Sequence, residues 1–170
     1  MKAAAQFESS DPMVNRLWQN IIWGQRGNFL DVPTDCPQRD ERLGWTGDAQ
    51  IFCSTACFNF QADAFFTKWM EDIKSDQYSN GAVPFTVPNV LPKDWRFLTE
   101  CGLGPENTSA GWGDAVTICP WTVYLCYDDM RILENSYDAM KKYIGYIYDG
   151  AVNGSGNPFV WDWGPQLGDW

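Results

Sequence analysis

Residues 35–48, DCPQRDERLGWTGD, place four carboxylates (Asp35, Asp40, Glu41 and Asp48) in one short stretch. Arg39 and Arg42 lie among them, and Trp45 stands between Gly44 and Gly47. A packed core does not accept that mixture, and a solvated loop has little use for the tryptophan. Clustered carboxylates raise one another's pKa, and neighbouring guanidiniums lower it. A carboxylic acid kept protonated near neutral pH can pass its proton to a leaving oxygen. Glycoside hydrolysis needs that acid and a second carboxylate. Tryptophan rings, flat and apolar, pack on sugar C–H faces, and the glycines allow tight turns beside a ligand. Two plainer readings stand beside this one: a solvated, salt-bridged loop, and Asp48 as the N-cap of a following helix.

The rest of the composition narrows the chemistry. Histidine is absent from the 170 residues, which removes Ser-His-Asp and Cys-His catalysis and the usual zinc ligand sets. Acid–base work then falls to carboxylates, tyrosine, lysine or cysteine. No metal or cofactor is expected. The net charge of −10 disfavours nucleic acid and anionic membrane surfaces. No apolar run reaches spanning length, and the opening MKAAAQFESSD holds no signal-peptide core; the expected location is cytoplasmic, although an upstream region could hold a signal. Cys36, Cys53, Cys57, Cys101, Cys119 and Cys126 form no C-x-x-C pair and read as buried free thiols rather than a disulfide framework. DGAVNGSGN does not match EF-hand spacing, so its Gly and Asn residues read as turn formers. Asn107 and Asn153 fit the glycosylation pattern, which has meaning only in a secreted chain.

Five helical segments must position these residues. The first runs from Asp11, a good N-cap followed by Pro12, to about Trp23, with Val14, Leu17, Trp18, Ile21 and Ile22 as its apolar stripe. The second, GDAQIFCSTACFNF, is apolar nearly all round. The third, from about Ala62 to Gln77, is amphipathic through Ala62, Phe66, Trp69 and Ile73. The fourth, GDAVTICPWTVYLCY, is again apolar all round, with Pro120 placed to kink it. The fifth follows Asp129, carries Leu133, Tyr137, Met140, Ile144 and Ile147, and ends at Gly150 as a C-cap. A helix apolar on every side must be covered on every side. The alternation therefore predicts inner helices wrapped by outer ones. Long links, at about 24–46, 78–111 and 149–170, gather at one end, and links of that length usually work. The final GDW should open a further inner helix, so the chain reads as a piece of something larger.

NFLDVPTDCPQRDERLGWTGDAQ closely resembles the acid-bearing motif of the inverting α-L-rhamnosidases, glycoside hydrolase family 78. GAVPFTVPNV, GWGDAVTICPWTVYLCYDDMRIL and the closing GDW resemble the same family in the same order, from about Phe7 onward. The resemblance implies an all-α (α/α)6 barrel of helical hairpins, about half of it present. Residues 1–170 would be the N-terminal part of the catalytic domain, incomplete at the C-terminal end. It implies Glu41 as general acid, Asp35, Arg39, Trp45 and Asp48 as the lining of a rhamnose pocket, and Trp112 and Trp170 as sugar-facing rings. Asp40 would point elsewhere. The family's general base is a glutamate of the later half, and a histidine there also belongs to the pocket; this chain ends before both. The implied substrate is a rhamnose-containing glycoside or oligosaccharide, and a homo-oligomer is an option for the full-length protein. The isolated chain is expected to be inactive and to self-associate through Ile51, Phe52, Phe58, Ile118, Trp121, Val123 and Leu125. Two other readings compete: another (α/α)6 hydrolase or lyase, and a non-catalytic sugar-binding or scaffold protein.

Overall fold

A computed structural model describes residues 1–91, 106 and 108–162. Its helices are α1 (Pro12–Asn28), α2 (Thr46–Asn59), α3 (Asp63–Asp76), α4 (Ala115–Tyr127) and α5 (Met130–Gly154). Among the described residues, extended backbone pairs only at isolated bridges, such as Trp45 with Thr86. The fold is all-helical.

Local chemistry explains most of the helix starts. Asp11 accepts a hydrogen bond from the Met13 amide at 2.8 Å, and Pro12 opens α1. Asp129 caps α5 through the Arg131 amide. α2 starts differently. Its N-cap residue is Trp45, which makes no side-chain cap. The Thr46 amide instead donates to the Phe85 carbonyl at 2.9 Å, so an extended segment from elsewhere satisfies the helix end. Asp48 is thus not the N-cap; it sits in the first turn, where the helix dipole favours a negative charge.

α2 and α4 pack against each other, and α4 also meets α3 and α5. Cys53 of α2 reaches the Cys119 carbonyl of α4 at 4.0 Å, and the small residues Ala49, Ala56 and Ala115 are buried in the same core. Small residues let the two inner helices approach closely. The outer helices supply the bulk: Phe66, Trp69 and Ile73 of α3 and Ile132 and Tyr143 of α5 join one core. Each such large apolar side chain, fully buried, contributes about 1.5–3 kcal/mol. Short connections at 60–62 and 128–129 tie one end, where the Tyr127 hydroxyl donates to the Phe60 carbonyl at 2.8 Å. At the other end, described parts of two long connections meet: the Thr46 amide donates to the Phe85 carbonyl and the Val87 amide to the Gly44 carbonyl.

Several details differ from the sequence reading. α1 continues past Trp23 to Asn28, because Gln25 is buried and its amide donates to the Ala56 carbonyl while accepting from Asn59. Tertiary bonds carry the helix through Gly24. Much of the expected α1 stripe is outside: Leu17 is 58% exposed, and Val14 is exposed too. On α5 the buried residues are Ile132, Ser136, Ala139, Tyr143, Tyr146 and Ala151, and the first five each lie one position before a member of the expected stripe. Gly150 does not end α5; a Cβ there would sit 2.5 Å from the Trp161 ring, so the glycine admits that indole. α4 runs through Pro120 as one helix. Cys36, Cys53, Cys57 and Cys119 are buried free thiols, Cys126 is free but exposed, and Cys101 lies outside the described residues.

The flanks of the helix pair remain open. Ile51 is 81% exposed and Trp121 is 52% exposed, with Phe58, Ile118 and Leu125 also exposed, whereas Val123 is fully buried and Phe52 partly so. Among the described residues, no helix is long and apolar enough to cross a membrane.

Candidate active site

The loop before α2 is wired mainly to itself. The Asp35 amide donates to the Leu43 carbonyl at 3.1 Å, and Asp35 Oδ1 accepts from the Leu43 amide at 3.1 Å. These bonds close a tight loop with Arg39, Asp40 and Glu41 at its outer part. Arg42 takes a left-handed conformation at φ 56°, rare for a side chain with a Cβ. Glu41 is held at both oxygens: Oε1 accepts from Trp45 Nε1 at 2.9 Å, and Oε2 pairs with Arg39 at 2.9 Å. Arg39 also lies 3.9 Å from Asp35. Its guanidinium is held above its ordinary pKa, first by a hydrogen bond with Cys36 and then by the charge of Glu41. Gly44 is the loop's anchor. Its carbonyl accepts from the Val87 amide at 2.8 Å, and a Cβ at Gly44 would lie 2.1 Å from the Val87 carbonyl oxygen.

The turn before α4 is built from different contacts. Gly111 has φ +87°, a conformation that suits glycine. Asp114 Oδ2 accepts from the Gly111 amide at 2.8 Å, and Asp114 Oδ1 accepts from the Tyr143 hydroxyl at 2.7 Å. Burial, followed by the Asp114 charge, pushes the Tyr143 phenol far above its usual pKa. Gln50 of α2 donates through Nε2 to the Gly111 carbonyl. Trp112 lies over Gly47, where a Cβ would come within 2.9 Å of the indole. Phe85 meets the same indole edge-on, with centroids 6.5 Å apart.

A cleft of about 800 Å³ opens between α1, α2 and these two segments. Asp35, Asp48 and Trp112 line it, together with Gln25, Gln50 and Phe52. Arg39, Glu41 and Trp45 are not in its lining. They form a hydrogen-bonded group next to it, joined through Asp35. Glu41 keeps partial access to solvent, its side chain being 30% exposed. Trp170 lies outside the described residues. Asp35, Cys36 and Glu41 bring three potential metal-ligand atoms within 4.8 Å of one another. Arg39 already supplies the positive charge that this group attracts.

A family model described as the bacterial alpha-L-rhamnosidase 6 hairpin glycosidase domain matches residues 2–170. The chain belongs to that family. An alpha-L-rhamnosidase of Formosa agariphila is 48% identical over 82% of this chain and 14% of its own length. One of an Alteromonas species is 40% identical over 96% of this chain and 16% of its own. The solved alpha-L-rhamnosidase of Streptomyces avermitilis, complexed with L-rhamnose, superposes with a TM-score of 0.75 at 42% identity, over 85% of this chain and 13% of that one. The chain thus spans a small part of the length of these relatives. Membership of the six-hairpin family accounts for the alternation of inner and outer helices.

Sequence reasoning grouped Asp35, Arg39, Glu41 and Trp45, and these do meet in space. It gave Gln50 no role, and it did not single out Tyr143. Asp114 stands in GWGDA next to Trp112, which is a local signal. Nothing local links Gln50 or Tyr143 to that turn.

Proposed function

We propose that this chain contributes the acid-bearing part of an α-L-rhamnosidase catalytic domain, which hydrolyses terminal α-L-rhamnose from rhamnosides with inversion. Residues 1–170 form the N-terminal part of that domain. Glu41 donates the proton to the leaving oxygen. Asp35, Arg39 and Asp48 hold sugar hydroxyls through charge-assisted hydrogen bonds. Trp45 lines the pocket with them, and Trp112 faces the sugar ring. The general base is a carboxylate from outside this chain, placed about 6.5–9.5 Å from the acid as inversion requires.

The observation that carries this reading is the clamping of Glu41. Trp45 Nε1 fixes one oxygen and Arg39 the other, at the loop end of the helices and next to a cleft lined by Asp35, Asp48 and Trp112. A leaving oxygen that takes the proton must displace Arg39 from Oε2 or approach the free side of the same carboxyl. Two other half-buried carboxylates are already engaged: Asp35 with the Leu43 amide, and Asp114 with Gly111 and Tyr143. The complex of the Streptomyces relative with L-rhamnose supports the choice of sugar.

The test is Glu41→Gln in the full-length enzyme. Turnover of an alkyl rhamnoside should fall by about 10²–10⁴-fold, the range for loss of a general acid. An aryl rhamnoside with a good leaving group should lose much less. Equal and small losses on both substrates would remove Glu41 from the role.

A further inference from the structure

The motif GWGDA acts as a unit, and its aspartate has a task separate from the proton transfer. Asp114 joins two bonds. One carboxylate oxygen receives the Gly111 amide at 2.8 Å, and the other receives the Tyr143 hydroxyl at 2.7 Å. Tyr143 belongs to the outer helix α5 and is buried, 1% exposed. Its ring passes against Gly113, where a Cβ would lie 2.7 Å from Tyr143 Cε2. The far side of Gly111 is gripped by Gln50 of the inner helix α2. One peptide turn is thus held from α2, α4 and α5 at once, and it carries the one tryptophan among the described residues that roofs Gly47 and lines the cleft.

Each glycine of the motif has a geometric reason. Gly111 supplies the left-handed φ of +87°, and Gly113 makes room for the Tyr143 ring. The remaining residues are Trp112, which meets the cleft, and Asp114, which meets neither the cleft nor the acid group. A half-buried, doubly engaged carboxylate of this kind sets geometry.

We propose that Asp114 is a positioning residue: with Tyr143 it fixes the Gly111–Trp112 turn so that the Trp112 indole is presented to the sugar. The inference rests on the reading above, in which Trp112 is a sugar-facing ring. An aromatic platform binds the sugar in the ground state and the transition state alike, so its misplacement raises KM and leaves kcat nearly unchanged. Asn at position 114 keeps an acceptor for the Gly111 amide and can still pair with the Tyr143 hydroxyl.

The experiment measures kcat and KM for an aryl rhamnoside, and the inhibition constant of L-rhamnose, in the full-length enzyme carrying Asp114→Ala, Asp114→Asn or Tyr143→Phe. Asp114→Ala should raise KM and the inhibition constant about tenfold, the scale of one lost charge-assisted hydrogen bond. Tyr143→Phe, which keeps the buried ring, should raise both about threefold. Asp114→Asn should restore most of the affinity. The leaving-group dependence should stay as in the parent enzyme, because Glu41 is untouched. If Asp114→Ala unfolds the domain, Tyr143→Phe and Asp114→Asn decide. Unchanged KM and inhibition constant in Tyr143→Phe, or in a folded Asp114→Ala, would overturn the proposal. If Glu41→Gln also keeps full activity, the functional reading itself has failed; if Glu41→Gln is crippled while these variants behave as the parent, only the positioning role has.

Discussion

The segments before α2 and α4 occupy equivalent places, each leading into an inner helix at the same end of the molecule, yet they are held in opposite ways. Within the acid loop the bonds are local: Trp45 reaches Glu41 over four positions, and Leu43 reaches Asp35 over eight. The rest of the fold grips that loop mainly at its downstream end, through Gly44, Thr46 and the segment around Val87. The turn bearing Trp112 depends on distant partners. Gln50 lies 61 positions from Gly111, and Tyr143 lies 29 from Asp114. The acid loop is partly exposed and keeps its charges near water, while the tryptophan turn is locked from within the core. A proton donor must meet a changing charge and benefits from side chains that can rearrange. A ring that recognises a sugar face benefits from being fixed before the sugar arrives.

The contrast is sharpest at Glu41. Glu41→Gln should remove most of the activity on alkyl rhamnosides while changing the stability of the domain by no more than about 0.5 kcal/mol. Activity assays paired with thermal unfolding monitored by circular dichroism check both halves. A large stability loss would mean the acid loop is wired into the core after all.

Gly113→Ala should do the reverse. A methyl 2.7 Å from the Tyr143 ring and 2.8 Å from Thr108 Oγ1 forces buried groups apart, and overpacking of this kind costs about 1–3 kcal/mol. The same unfolding experiment reads it. A variant as stable as the parent would show that the turn yields easily and is not locked.

A smaller effect is expected at Trp45. Trp45→Phe keeps an aromatic ring and deletes the Nε1 donor to Glu41. Loss of one hydrogen bond to a carboxylate should lower kcat about three- to tenfold, with KM changing less. Steady-state kinetics on an alkyl rhamnoside would reveal an unchanged kcat, and that outcome would detach Trp45 from the acid.

The smallest effect concerns Arg39. Its side chain is 66% exposed, so its pairs with Glu41 and Asp35 should contribute little to stability. Raising the salt from 0.1 to 1 M shortens the screening length from about 10 to about 3 Å. The melting temperatures of the parent and of Arg39→Ala should therefore shift almost in parallel with salt. Divergence would mean that the solvated pair contributes more to stability than its exposure implies.

How much was legible follows from the same contrast. The group of Asp35, Arg39, Glu41 and Trp45 could be read from a string of letters because its members are neighbours along the chain. The helix order was legible too, since α2 and α4 lack a polar face and α3 shows one. The exact face of α5 was not. Its apolar positions form two adjacent rows, and the row ending in Tyr143 and Tyr146 lies inside because Ser136 and Ala139 are small enough for close packing and Tyr143 finds a partner in Asp114. The end of α1 was misread for a related reason: Gln25 looks polar in sequence, but Ala56 and Asn59 satisfy its amide in the core.

The sequence by itself determined the residue types available to this chain: carboxylates without histidine, an arginine beside Glu41, tryptophans close to carboxylates, and inner and outer helices in alternation. Residue types and short spacings suffice for those statements, because they depend on neighbours within about one turn or loop. Only the tertiary structure decided which oxygen of Glu41 meets Trp45 and which meets Arg39, why Gly47 and Gly113 carry no side chain, and what fixes Trp112. Those answers depend on groups tens of positions apart being packed to within hydrogen-bonding distance, and packing at that range is a property of the folded core as a whole.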